Sequence, residues 1–153
     1  MAPKFWIGVA SDDHVKAGVR GGFCQLCHGK MAAVRRISPG DWIAYYSPRT
    51  EMKGGEPVQA FTAIGRVKEG EPYPVDMGNG FVPARRDVEF LDRQPASIRP
   101  LIESLDFIKN KRNWAYPFPS GLLKISESDF RTISEAMGVS PKDWASAEKK
   151  IGP

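Results

Sequence analysis

No stretch of the 153 residues is apolar over the roughly 20 positions that a bilayer-crossing helix needs, so a membrane span is excluded. The start, Met-Ala-Pro-Lys-Phe-Trp, has no charged leader, apolar stretch or small-residue cleavage site, and a cytoplasmic protein without a membrane partner is the expectation. There is no internal repeat and no low-complexity tail. G-x-S-x-G, a Walker loop and a dinucleotide fingerprint are all missing, since Gly18 to Gly22 has the wrong spacing. The carboxylate pairs Asp12-Asp13 and Asp87-Glu89 suit a helix start and an alternating strand. The expectation is therefore a chain with no catalytic site and no cofactor.

Cysteine and histidine are scarce, two of each. Cys24-Gln25-Leu26-Cys27-His28 spells the haem-attachment pattern, but that chemistry needs export to an oxidising compartment, and no export signal is visible. Zinc could draw on Cys24, Cys27, His28 and His14, yet no second cysteine pair completes the usual tetrahedral set. A thioredoxin-like pair is allowed by spacing alone. The expected state is two reduced, largely buried thiols without metal. A metal- or redox-linked protein built on Cys24, Cys27 and His28 stays as the alternative.

What is present fits one domain over 1–153. A net charge of +4 permits an anionic partner without requiring one. Lys4 to Ala10 alternates as a strand, Phe5, Ile7 and Val9 against Trp6, Gly8 and Ala10. Ser11 then reads as the N-cap of a helix that stops at Gly21-Gly22. A short helix is expected over about Cys24 to Ala33. Ser38-Pro39-Gly40-Asp41 turns into the strand Trp42–Tyr46, and Ser47 to Pro57 reads as a mobile surface loop. A strand over Gln59–Glu69 should place Phe61, Ala63, Gly65 and Val67 on one side. Further strands are expected at Phe81–Leu91 and Gly121–Ile125, and short helices over Pro95–Ile108. Ser126 with Asp129 and Ser140 with Pro141 start two final helices. Strands outnumber crossovers, so the expected fold is α+β, a mixed sheet curled into a partly closed β-barrel with peripheral helices.

Residues 111–119, Lys-Arg-Asn-Trp-Ala-Tyr-Pro-Phe-Pro, carry three rings and two prolines behind a basic run. Proline bars a regular helix there. Such rings serve equally as core or as faces on which a planar base stacks, each good stack worth roughly 1–3 kcal/mol. Trp114, Tyr116, Phe118 and Tyr46 are the candidate rings. Ser11, Gln25, His28, Ser47 and Asn113 are candidates for the polar edge of a bound base, because a site that satisfies donors and acceptors discriminates far better than an apolar slot. Arg49, Lys111 and Arg112, with Lys109, could pair with phosphates.

Trp6-Ile7-Gly8-Val9-Ala10-Ser11, Gln25 with His28-Gly29-Lys30, Pro39-Gly40-Asp41 before Tyr45-Tyr46-Ser47-Pro48, and Trp114 to Ile125 together resemble the EVE domain. The resemblance runs from about Trp6 to Phe130. It implies a fold of the PUA-like superfamily, related to that of YTH domains, and a non-catalytic module that accepts a flipped-out modified nucleobase of DNA or RNA. It further implies a pocket between the end of the first strand and the aromatic segment, drawing on Ser11, Tyr46, Ser47 and Trp114 to Phe118.

Overall fold

The computed structural model describes residues 2–151, without the side chains of 149–151. The first strand, β1 (Phe5–Val9), is followed by α1 (Asp12–Gly21), β2 (Phe23–Cys24) and a single turn of α-helix, α2 (Met31–Val34). Then come β3 (Trp42–Arg49), β4 (Pro57–Val67), β5 (Tyr73–Pro74), β6 (Ala84–Phe90) and β7 (Ala96–Ser97). β8 (Leu122–Ile125), α3 (Glu127–Ala136) and α4 (Pro141–Ile151) complete the order. The sheet runs β2-β6-β4-β3-β1-β8, with β5 attached to β6 and β7 to β4. Only β1 and β3 pair in parallel among these strands. The sheet curls strongly into a half-barrel with a few helices around it, as the strand count implied.

Both faces of β1 are covered. Phe5 and Ile7 join a core under α3 and α4 in which Trp42 stacks on Trp144 at 4.5 Å and Phe130 meets Trp144 edge-on at 5.6 Å. Trp6 joins a second core with Val15, Leu26, Val34, Ile37 and Ile43. Asp41 sets the β1–β3 register: its buried carboxylate accepts from the backbone N–H groups of Lys4 and Ser38 and from the Trp6 indole, each at 3.0 Å. A carboxylate out of water needs such donors, so the Pro-Gly-Asp turn is tied to the first strand.

Three expectations change. Phe61 and Ile64, not Phe61 and Ala63, share a face, because Tyr45 pairs with Ala63 and Tyr46 with Phe61, leaving Thr62 as the extra residue of a β-bulge. The helix expected over Cys24 to Ala33 is instead β2, a left-handed turn and α2. Cys27, His28 and Gly29 have φ of 48°, 61° and 84°, and the Gly29 N–H closes the turn on the Leu26 carbonyl at 2.9 Å. Ser47 to Arg49 extend β3, and the rest of that loop is braced, Thr50 N–H on Glu56 C=O and Glu56 N–H on Thr50 Oγ1, both at 2.9 Å.

The capping serine of α3 behaves as expected, Ser126 Oγ accepting from Asp129 N–H at 3.1 Å. The Asp129 carboxylate turns outward from its helix and accepts from the N–H groups of Asp106 and Phe107, both at 2.9 Å. That pair of bonds anchors the segment leading to the aromatic run. Among the described residues no helix is long and apolar enough to cross a membrane.

Candidate functional site: a cleft where the first strand ends

β1 ends where three segments part. Val9 N–H still bonds Gly121 C=O at 2.9 Å and Ala10 N–H bonds Tyr46 C=O at 3.2 Å, but beyond them the chain leaves the sheet for α1. The gap is a cleft of about 380 Å³. Val9, Pro48, Met52, Phe81 and Phe118 supply apolar wall; Ser11, His14, Gln25, His28, Arg49 and Glu51 supply polar groups. A larger hollow of about 550 Å³ lies between α3 and α4, remote from these side chains.

The polar groups have defined roles. Ser11 occupies the N-cap position of α1 without capping it; its hydroxyl bonds Asp13 Oδ1 at 2.5 Å. That bond, more than any other influence, holds the Asp13 carboxyl below its ordinary range, so Asp13 is the acceptor and Ser11 the donor. Ser11 lines the cleft, and its Oγ, engaged as a donor, has acceptor capacity to spare. Gln25 is held at both ends of its backbone by the Tyr45 hydroxyl, which accepts from its N–H at 3.2 Å and donates to its C=O at 3.3 Å. Its side-chain oxygen accepts from Arg85 Nε at 3.1 Å. The amide nitrogen is thereby left without a partner among the described residues, as a donor for a ligand.

The wall opposite is the left-handed turn. Non-glycine residues with positive φ cost roughly 1–3 kcal/mol each and persist only where the surrounding structure holds them. The turn is closely packed at its glycines: a Cβ on Gly29 would sit 2.5 Å from Pro83 Cβ, and one on Gly121 2.9 Å from Cys27 Sγ. The Cys27 thiol points to the Ser120 carbonyl at 3.7 Å, and His28 is exposed on the rim.

The aromatic run behaves differently from its spacing. Tyr116 N–H bonds Asn113 C=O and Phe118 N–H bonds Ala115 C=O, so the segment is a series of turns and rings four apart share a face. Trp114 meets Phe118 and Tyr46 edge-on, each at 6.4 Å, and Phe118 stacks on Tyr46 at 4.1 Å. Of these rings only Phe118 borders the cleft. Tyr46 is buried beneath it, Trp114 carries the Arg99 guanidinium at 5.1 Å, and Tyr116 is 78% exposed over a separate recess with Lys109 and Asn113. Ser47 is also withdrawn, fully buried and bonded to Thr62 Oγ1 at 2.7 Å. Lys111 is engaged on the carbonyls of Ile102 and Leu105, at 3.1 and 2.9 Å. Arg49 lines the cleft while donating to Gly55 C=O, and Arg112 is exposed outside it. The cleft thus gathers Ser11, Gln25, His28, Arg49 and Phe118; it does not gather Tyr46, Ser47, Trp114, Tyr116, Lys111 or Arg112.

The cysteine cluster is split. Cys24 lies in the second core, where burial pushes its thiol up to about 12, while Cys27 lines the cleft. Among the described residues no three His, Cys, Asp or Glu side chains converge on a metal position.

Met52, Phe81 and Arg85 were not singled out in the sequence. The signal was there in part: Met52 and Phe81 are large apolar residues inside glycine-rich connections, and both are exposed, at 53% and 43%. Isolated apolar surface is ordinary; two such side chains meeting at one cleft are not.

The strongly curled mixed sheet with its few helices is consistent with a PUA-like fold. The chain belongs to the EVE domain family, whose profile matches residues 4–136. It is 50% identical over 134 residues to a UPF0310 protein of Mycolicibacterium gilvum, covering 88% of this chain and 95% of that one. It is 41% identical over 139 residues to the UPF0310 protein YdcG of Bacillus subtilis, covering 91% and 95%. The crystal structure of Atu2648 from Agrobacterium tumefaciens shares the fold with a TM-score of 0.56 at 14% identity, over 90% of this chain and 95% of that one. The solution structure of Rpa0253 from Rhodopseudomonas palustris does so at 0.51, also at 14% identity, over 88% and 93%.

Proposed function

We propose that the protein is a non-catalytic nucleic-acid-binding module that takes a modified base, turned out of its stack, into the cleft at the end of β1. The observation that carries this reading is the pairing of apolar wall with one oriented acceptor and one oriented donor, Ser11 Oγ and the Gln25 amide nitrogen, in a cleft of about 380 Å³. A planar heteroaromatic ring needs that combination: flat apolar contact on its faces and partners on its edge. Membership of the EVE domain family and the net charge of +4 support a nucleic-acid partner.

Extruding a base costs a few kcal/mol, least from a single strand. Contacts to Phe81 and Met52 offset part of that. A methyl group buried against them adds on the order of 0.8 kcal/mol, a few-fold preference, and the polar edge supplies the rest. Fluorescent oligonucleotides carrying common methylated bases are titrated against unmodified controls, with Phe81→Ala and Trp114→Ala alongside. Tighter binding of one modified strand, lost in Phe81→Ala and kept in Trp114→Ala, is expected. Equal and weak binding of every strand overturns the reading.

A further inference from the structure

A second, smaller hollow of about 200 Å³ adjoins the cleft and shares Ala10, His14, Gln25 and Phe81 with it. Phe81 is therefore a wall between two compartments. On the far side lies Arg85, half-buried on β6. Its guanidinium sits over the Phe23 ring, 3.9 Å from the centroid, while Nε donates to Gln25 Oε1 at 3.1 Å and Nη2 contacts Met77 Sδ at 3.5 Å. Nη1 has no acceptor and the side chain no carboxylate partner among the described residues. Asp87, two residues along the strand, instead accepts from the Tyr73 hydroxyl.

A guanidinium stacked, aimed and lacking a counter-charge at the edge of a cavity is arranged for an anion, and its planar fork matches phosphate. The same residue orients the Gln25 amide at the base edge, so one side chain serves both compartments. Resting on the function proposed above, we propose that the smaller hollow is a phosphate subsite in which Arg85 holds the phosphate joining the bound nucleoside to its neighbour. The module then reads a base together with its backbone link.

The test uses the full chain and small probes: 5-methylcytidine and N6-methyladenosine as free nucleosides, as 5′- and as 3′-monophosphates, and inorganic phosphate alone. For the nucleoside that binds, one of the two monophosphates should bind at least about tenfold tighter. A dinucleotide with a methylphosphonate link on that side should lose the gain. Arg85→Gln should abolish it, Arg85→Lys should restore part of it, and Arg112→Gln, outside both hollows, should leave it intact. If the nucleoside and both monophosphates bind equally, the subsite is refuted and the base cleft stands. A gain kept by the uncharged link refutes it too. If no nucleoside or nucleotide binds, the base reading itself falls and takes the subsite with it.

Discussion

Phe118 and Phe81 border the same cleft under opposite conditions. Phe118 is 5% exposed, stacked on Tyr46 and flanked edge-on by Trp114 and Phe107. Phe81 is 43% exposed and has no ring partner among the described residues. Rings already packed against other rings contribute to folding and have little face left for a ligand; a ring standing alone at a cavity mouth still has that surface in water. Of the aromatics at 114–118 Phe118 alone forms part of the floor of the site, and the sparse loops around Met52 and Phe81 mark its walls.

Substitution should separate the two most sharply. Phe118→Ala removes a buried ring from the core and is expected to cost about 3–5 kcal/mol of stability, read as a shift in the urea midpoint. Phe81→Ala should leave that midpoint within about 0.5 kcal/mol. A comparable loss in both variants would erase the distinction.

Alkali provides a second contrast. Burial raises the Cys24 thiol from 9.0 to about 12 and the Tyr46 hydroxyl from 10.0 to about 12, and pushes Tyr45 well above its ordinary value. Groups with raised folded-state values contribute stability that is complete below the unfolded value and fades as pH climbs towards the folded one. The unfolding free energy should hold steady up to about pH 9 and then fall by as much as about 1.4 kcal/mol per pH unit for each such group. Below unfolding, an alkylating reagent followed by mass spectrometry should modify Cys27 and spare Cys24. Early modification of both would mean that the second core is open.

Binding gives the next effect in size. Phe81→Ala should weaken the tightest oligonucleotide by about 1–3 kcal/mol, the worth of one base–ring stack, measured by anisotropy. The smallest effect concerns the basic run. Lys111→Met should lower stability by about 1 kcal/mol, because its ammonium satisfies two carbonyls. It should leave the salt dependence of binding unchanged, where loss of a true phosphate contact on single strands would lower the log–log slope by about 0.7.

Legibility in the sequence followed the range of the interactions involved. Alternation marked β1, and its two faces do enter two different cores. Gly22 ends α1 with a φ of 73°, and Ser126 caps α3, both local consequences of residue type. Ser11, Gln25 and His28 were candidates in the sequence and converge on the cleft. Ser47 and Lys111 looked like ligand groups, yet their partners, Thr62 and two backbone carbonyls, are supplied by other segments. The bulge at Thr62 is likewise invisible to alternation, since the extra residue is defined only by the partner strand.

Residue order by itself determined the mixed sheet, the ends of α1, the start of α3, the Pro-Gly-Asp turn and the family, because propensity, periodicity and capping act between neighbours. Only the folded chain decided which rings face water and which groups are free to donate. Exposure and hydrogen-bond occupancy depend on what distant segments bring alongside. Arg85 acquires its role from Phe23 and Gln25, about 60 positions earlier in the chain, and only tertiary contact puts them side by side.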